Sequence, residues 1–345
     1  MGFTITPDEL KKSAIQYRKE LLVMMSIGLA NSLQHMTLRT GVQYKQKVGQ
    51  YDPNAQFGPY DPTRKNTTLN IAGRELEVFL GSVIKDFDPN EVVQSIYGSL
   101  TLQGEGLKNT PIAKAVLAAE MKSLSAKLNQ SIFKAVRNAS GTTSMDLYNG
   151  FDTIAEAEIT AGNISTSKKN LFEFTAAIDK NNAVDALKAF YRSSKDELKG
   201  EACKLYMPYE VLEAYEDDYQ QTVGASPYNK GFEKKFLEGS NGLCEFVPMA
   251  SKSGSKFLQL STKGNMLVGT GAGNAMETLD VDRFSPFLVT LSAAILFGCQ
   301  YETISAEKLN VGKLYQAPVT PEVPDEPEVP EEPETPEDPE SGGGE

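Results

Sequence analysis

The feature that most constrains the fold of this 345-residue chain is a long helical pattern between residues 111 and 137. Its apolar residues recur every three to five positions: Ile112, Val116, Met121, Leu124, Leu128, Ile132 and Val136. This spacing predicts one amphipathic helix with a single apolar stripe. A helix of about 25 residues is about 37 Å long, so the stripe needs a broad surface to cover it. We expect that surface to be a sheet.

The rest of the chain predicts an α+β fold. Two further helices are expected over residues 183–198 and 208–220, and Pro208 would open the second at its first position. The expected strands are residues 243–248, 256–260, 266–270 and 287–304. Strands and helices do not alternate regularly and no internal repeat is present, which argues against a doubly wound parallel sheet.

Residues 40–80 differ from their surroundings. They contain three Tyr, two Asp-Pro steps and four Gly, and they show little helical periodicity. Apolar residues alternate on either side of the turn-rich centre, which predicts two extended arms joined by a tip. Unstructured connections of this length are uncommon in compact proteins unless they are functional or disordered.

Two apolar runs need to be separated from export signals and membrane spans. Residues 21–30 belong to an expected first helix over residues 7–34, with Thr6 as N-cap, Pro7 at the first position and Glu9 completing a capping box. Residues 284–301 are interrupted by Pro286 and Gly298 and alternate like a buried strand. We expect neither run to direct export or to span a membrane.

The charge of the chain is concentrated in its last 28 residues, 318–345. They hold eleven acids, no Lys or Arg, and a Pro at every third position from 318 to 339. The whole chain has 46 acids and 34 bases, so the remainder has 35 acids and 34 bases. A body this close to neutral lacks the electrostatic excess that neutralises nucleic-acid phosphates.

No catalytic or metal-binding constellation is present in the sequence. The single histidine, His35, is expected to be a solvated residue at a helix end. The three cysteines, Cys203, Cys244 and Cys299, form no C-x-x-C pair and are expected to be buried and free. Gly269 and the glycines after it predict a turn, since no phosphate-binding motif is present.

An acidic cluster on the helix expected over residues 208–220 is a further candidate metal site. It comprises Glu213, Glu216, Asp217 and Asp218. Because Val211, Leu212 and Tyr215 would face inward, we expect the four acids to lie on the solvent-exposed face of this helix. The sequence therefore predicts no metal, no cofactor and no enzymatic activity.

Several sequence blocks carry a resemblance to a known family. In order they are the long helix, LYNGFDTI (147–154), KLYMPYEVLEAYEDDY (204–219), TKGNMLVGT (262–270) and an uncharged β-rich run to Tyr301. Their order and spacing, over roughly residues 76–309, resemble the major capsid proteins of tailed bacteriophages, which have the Hong Kong 97-like fold. No single block is diagnostic.

This resemblance implies a division of the chain into domains. The implied parts are an N-terminal arm and helix (1–39), an extended loop formed as a β-hairpin (40–80), a peripheral domain (81–147 and 278–317) with a spine helix (111–137), an axial domain (148–277) and a disordered acidic, Pro-rich tail (318–345). No long charged scaffolding segment precedes the arm, so a scaffolding protein is expected to be a separate chain.

The resemblance also implies a function. The chain would be a structural subunit that self-assembles into hexamers and pentamers of an icosahedral phage head, made in the host cytoplasm and retained in the virion. Its partners would be its own copies, a separate scaffolding protein, a portal and enclosed DNA that is not bound strongly, with no membrane. The candidates for contacts between subunits are Tyr44, Tyr51, Phe57, Tyr60 and Lys65.

Three alternatives remain open. An encapsulin-like nanocompartment shares the implied fold and would enclose a cellular cargo enzyme. A surface protein on a Pro/Glu-rich stalk would explain the tail, but it needs an export signal and an anchor. An enzyme of unknown class would need polar residues that converge on a pocket.

The composition of the tail leads to a first prediction. Truncation after Ala317 should leave the subunit folded, because a segment rich in Pro and like charges cannot bury enough apolar surface to offset its chain entropy. Circular dichroism and thermal unfolding of the truncated and full-length chains would test this. Loss of cooperative unfolding in the truncated chain would contradict the prediction.

Overall fold

The computed structural model describes residues 30–53, 60, 69–87, 112–223, 235–271, 277–283 and 289–316. The strands are β1 (Thr37–Thr40), β2 (Lys45–Pro53), β3 (Leu69–Glu77), β4 (Phe79–Phe87), β5 (Leu171–Glu173), β6 (Cys203–Met207), β7 (Cys244–Pro248), β8 (Phe257–Thr262), β9 (Met266–Thr270), β10 (Thr278–Arg283), β11 (Val289–Tyr301) and β12 (Leu309–Lys313). The α-helices are α1 (Ala30–Leu33), α2 (Ile112–Ser131), α3 (Phe151–Thr160), α4 (Ala183–Ser193), α5 (Asp196–Lys199) and α6 (Tyr209–Val223).

The strands form two five-stranded mixed sheets and one hairpin. The first sheet has the order β1-β9-β11-β10, and β4 also pairs with β11. The second has the order β5-β12-β8-β6-β7, in which β6 and β7 are parallel. Strands β2 and β3 pair with each other in antiparallel fashion. The chain divides into two units, Met1–Tyr315 and Gln316–Glu345, and all of these strands and helices belong to the first. The predicted α+β class is confirmed.

The long helix α2 is confirmed, but it ends at Ser131, six residues before the predicted end at Arg137. Beyond Ser131 the backbone bonds to the start of α3 instead of continuing the helix. The carbonyl of Ile132 accepts the N–H of Phe151 at 3.1 Å, and the carbonyl of Phe133 accepts the N–H of Asp152 at 2.9 Å. These non-local bonds satisfy the groups that a longer helix would have paired internally.

Helix α3 was not predicted from the sequence. Gly150 precedes it, and a Cβ at this position would collide with the carbonyls of Ile132 and Phe133. Glycine is therefore required where the end of α2 and the start of α3 meet. Phe151 is fully buried, and its ring contacts Phe133 and Tyr301 in the first apolar core.

The second apolar core lies between the second sheet and helices α4 and α6. The helix predicted over residues 183–198 is interrupted, because Ser194 is extended and Asn310 Nδ2 donates to its hydroxyl at 2.8 Å. Asp218 was expected on the outer face of α6 but is buried. It accepts a 2.7 Å hydrogen bond from the N–H of Val184 at the start of α4.

Other predictions agree with the structure. Strand β9 has the predicted bounds, and β11 covers most of the strand predicted over residues 287–304. The three cysteines are buried and free, as expected, although Cys203 and Cys244 are neighbours on paired strands. The first helix lies outside the described residues except for Ala30–Leu33. In the described part of the chain, no helix has the length and apolar character needed to cross a membrane.

A buried ion pair connects α3 to the second sheet. Lys252 is fully buried, and its Nζ lies 3.0 Å from Asp152 Oδ1 and 4.3 Å from the centre of the Phe133 ring. Lys252 also bonds to Gln259 in β8, whose amide donates to Asp152, and the hydroxyl of Ser255 donates to Asp152 Oδ2 at 2.6 Å. Burial lowers the pKa of Lys252, and the charge of Asp152 opposes this shift.

We predict that Lys252→Ala lowers the free energy of unfolding by about 3–5 kcal/mol, because the carboxylate of Asp152 would remain buried without its counter-charge. The double variant Lys252→Met/Asp152→Asn should lose less, since no buried charge is left. Urea unfolding measures both variants.

The matched control is Lys313→Ala, which removes a solvent-exposed pair with Glu173 and should change stability by less than about 1 kcal/mol. If the double variant were as unstable as Lys252→Ala, charge burial would not be the cause.

Candidate inter-subunit surface

The hairpin of β2 and β3 is a separate two-stranded sheet. Its two nine-residue strands pair from Lys45 opposite Glu77 to Pro53 opposite Leu69, a ribbon of about 30 Å. Among its side chains that the structure describes, only Val48 and Leu76 are buried. A two-stranded ribbon with so little core is marginally stable by itself.

The base of this hairpin lies on a glycine pair that the sequence analysis did not identify. Gly269 of β9 and Gly298 of β11 are opposite each other across the sheet, and both are buried. A Cβ on Gly269 would collide with Val78, and one on Gly298 with the carbonyl of Glu77. The sequence placed Gly269 both in the strand over residues 266–270 and in a turn, and only the strand is confirmed. A glycine inside a strand pattern often marks a close approach of another backbone segment. This pattern could have identified the glycine pair from the sequence.

Apolar contacts complete this attachment. One cluster of buried side chains joins the hairpin and the residues beside it to the first sheet: Val42, Val48, Leu76, Val78, Leu267 and Leu296. The main chain adds two bonds, from the N–H of Val42 to the carbonyl of Thr270 and from the N–H of Val78 to the carbonyl of Tyr44. The hairpin base is thus packed against the body of the subunit.

Further along β3, Arg74 binds two different elements of the body. Its Nη2 donates to Glu158 Oε1 of α3 at 2.7 Å and to Gln300 Oε1 of β11 at 3.1 Å. Glu158 also accepts a 2.8 Å bond from Asn163. The side chains of Arg74 and Glu158 are only 17% and 18% exposed. Charge-assisted bonds of this kind are among the stronger ones in proteins.

Electrostatics keep Glu158 ionised. Burial raises its pKa, but the hydrogen bonds from Asn163 and Arg74 and the charges of Arg74 and Lys168 together outweigh burial, so the pKa lies below its ordinary value of 4.5. The ion pair with Arg74 therefore persists over the neutral and mildly acidic range.

The five residues predicted to contact other subunits are not brought together in one chain. Tyr44 is 63% exposed with Lys45 Nζ 5.5 Å from its ring centre, and Tyr60 is 94% exposed. Tyr51 lies in β2 opposite Ile71. Phe57 and Lys65 lie outside the described residues. The two described tyrosine side chains offer large apolar surfaces to solvent, and the contacts of all five remain predictions.

A second exposed apolar area lies on β4 and was missed by the sequence analysis. Ile84 is 74% exposed and Leu80 is also exposed, on the same face of the strand. Lys85 points to the other face, where its Nζ lies 2.7 Å from Glu120 of α2. Ile84 is opposite Ser292 in β11, and Ser292 is opposite Asp280 in β10. This sheet face therefore combines exposed aliphatic and acidic residues with a half-buried serine.

His35 does not lie in a catalytic arrangement, and its predicted environment is wrong. Its Nδ1 is 3.1 Å from the Lys204 ammonium, and the hydroxyl of Tyr206 donates to its carbonyl at 2.5 Å. Burial and the charges of Lys204 and Lys263 lower the pKa of His35, and Glu245 only partly opposes them. A neutral imidazole that accepts a bond from Lys204 fits this half-buried site, whereas a solvated ring was expected.

The described residues include no group of three or more His, Cys, Asp or Glu side chains that could hold a metal ion. The acidic cluster of α6 therefore forms no such group within the described part of the chain. In particular, Asp218 is used to bond the start of α4.

Two solved structures of similar fold are chains from capsids. A chain of the satellite phage P4 procapsid, solved with its size determination (Sid) protein, matches with a TM-score of 0.57 and 11% identity over 86% of this chain and 90% of that one. A chain from the capsid of a native GTA particle matches with a TM-score of 0.50 and 11% identity over 84% and 91%. No family model and no curated relative matches the sequence.

A looser likeness joins the chain to the holo-SrpI encapsulin complex of Synechococcus elongatus PCC 7942. Its TM-score is 0.48 at 10% identity, over 82% of this chain and 86% of that one. At identities this low, the similarities establish the fold alone. The chain has the Hong Kong 97-like fold, as its sequence blocks indicated.

The Arg74–Glu158 pair leads to a pH-dependent prediction. Glu158→Gln should lower the free energy of unfolding at pH 7 by about 1 kcal/mol, the difference between a charge-assisted and a neutral hydrogen bond. Because the folded-state pKa of Glu158 is below 4.5, this contribution is fully present above pH 4.5. It is lost as the pH falls through the folded-state pKa.

Urea unfolding of the wild type and Glu158→Gln at pH 7 and pH 4 tests this. The gap between them should narrow at the lower pH, and Glu75→Gln, a more exposed change in the same hairpin, should show no comparable gap at pH 7. An equal gap at both pH values would show that the charge of Glu158 does not contribute.

Proposed function

We propose that this chain is a major capsid subunit that self-assembles into hexamers and pentamers of an icosahedral phage head. The observation that carries the proposal is the β2–β3 hairpin, a long ribbon with little core of its own in a chain with the fold of capsid subunits. Such a ribbon gains stability when a neighbouring copy buries it. Contacts of this kind, repeated by symmetry, close into shells.

The exposed apolar surfaces support assembly from identical copies. Tyr44 and Tyr60 on the hairpin segment and Ile84 on β4 leave large apolar side chains in water. Clusters of exposed apolar residues are characteristic of protein–protein contact sites. We infer that Tyr51, Phe57 and Lys65 contribute to the same contacts, because they lie in the same segment of sequence.

In this proposal each part of the chain has a role. Residues 81–147 and 278–317 form the peripheral domain and residues 148–277 the axial domain, while residues 40–80 reach a neighbour. Residues 1–39 are assigned to the N-terminal arm, and the strand β1 at its end pairs with β9 of the same subunit. The acidic tail, 318–345, is a solubilising extension that folding does not require.

The role proposed for the chain is structural, not enzymatic. The near-neutral body, 35 acids and 34 bases, suits a shell that encloses DNA without binding it strongly. A separate scaffolding protein and a portal would complete the head. Assembly takes place in the host cytoplasm, and the protein ends in the virion.

We predict that a shortened hairpin blocks assembly but not folding. Residues 50–72 would be replaced by Asn-Gly, a dipeptide that favours the tight turns of two-residue hairpins. The Gly49–Gly73 pair, Arg74 and the apolar base remain. Circular dichroism should show a folded subunit, and negative-stain electron microscopy should show shells for the wild type only.

Truncation after Ala317 is the matched control, because it also removes residues but should leave shells intact. If the shortened chain unfolds, the hairpin belongs to the core of the subunit. If it still forms shells, the hairpin is not the assembly element. Purified wild-type particles that contain a host enzyme in place of DNA would identify a nanocompartment.

A further inference from the structure

The hairpin is attached to the body in two physically different ways. Its base packs on Gly269 and Gly298 through apolar contacts, with Glu77 and Val78 directly over the two glycines. Apolar contacts are non-directional. A glycine pair also has no side chains that would prevent the hairpin from rotating on the sheet. These contacts, the glycine seat, fix the position of the hairpin base more strongly than they fix the direction of the hairpin.

The second attachment is directional. Arg74 lies four residues from Val78 in the direction of the hairpin tip, a distance of about 13 Å along the strand. From there one guanidinium nitrogen reaches Glu158 of α3 and Gln300 of β11, which are separate elements. A planar guanidinium with fixed donor directions constrains angle as well as distance.

The partners of Arg74 are themselves held in place. Asn163 donates to the other carboxylate oxygen of Glu158. Gln300 accepts the N–H of Tyr301 at 3.0 Å and donates to the carbonyl of Glu75 at 3.1 Å, so it joins β11 to the hairpin directly. The Arg74 Nε is buried and has no hydrogen-bond partner among the described residues.

We propose that the Arg74–Glu158 pair is a strut that sets the direction of the hairpin relative to the body, and thereby the angle at which neighbouring subunits meet. The glycine seat is the point about which the hairpin would rotate without this pair. The first half of the inference, the direction of the hairpin, is a property of the single subunit. The second half, the curvature of the shell, rests on the proposed function.

Distances between spin labels in the unassembled subunit test the first half. Labels would be placed through Lys47→Cys in β2 and Glu156→Cys in α3, both exposed positions, while the three native cysteines are buried. The wild type should give one narrow distance distribution. Arg74→Gln and Glu158→Gln should each broaden it at least twofold, and the exchanged pair Arg74→Glu/Glu158→Arg should restore a narrow one.

Lys45→Gln is the matched control, because Lys45 pairs with Glu75 and Glu77 within the same hairpin. It should leave the width unchanged. An unchanged width in both Arg74→Gln and Glu158→Gln would overturn the strut. Circular dichroism verifies that each variant is folded. If Arg74→Gln does not fold, the distance distribution of Glu158→Gln alone tests the strut, because this variant keeps the bond from Asn163.

Electron microscopy of assembled particles tests the second half. At equal subunit concentration the wild type should give one shell diameter, the single variants a mixture of diameters or open sheets, and the exchanged pair one diameter again. Broadened distances with an unchanged diameter would overturn the link to curvature. If the wild type forms no particles at all, the proposed function fails, whereas the distance measurement still decides the strut.

Discussion

The ion pair between Lys252 and Asp152 is the interaction on which the rest of the structure depends. It lies in the interior, where an unpaired charge would cost several kcal/mol. Its partners come from a short helical turn, from β8 and from the first turn of α3. The pair therefore determines where α3 lies relative to the second sheet.

The position of α3 then determines the position of the hairpin. Asp152 lies in the first turn of this helix, and Glu158 lies six residues later, about 9 Å along the axis. Glu158 holds Arg74, so a charge pair in the core and a charge pair at the hairpin are joined by one rigid helix. The surface proposed for assembly is oriented by contacts that lie well inside the subunit.

The fold class and many elements could be predicted because they follow from local patterns. The apolar stripe of α2, the helix opened by Pro208 and the alternating strands β9 and β11 are periodic in sequence. The predictions failed where hydrogen bonds to residues distant in sequence determine the local structure. Helix α2 ends early because the carbonyls of Ile132 and Phe133, just beyond its last residue, bond to the start of α3. Asp218 is buried because it bonds to the start of α4.

By itself, the sequence determined the α+β class, the long helix, the extended hairpin and the near-neutral body, since periodicity, turn residues and charge are local properties. Only the tertiary structure decided that Gly269 lies opposite Gly298, that Arg74 meets Glu158 and that Lys252 is buried against Asp152. These contacts join residues from 29 to 100 positions apart. Pairings of this kind depend on how the sheets and helices pack, which no local pattern encodes.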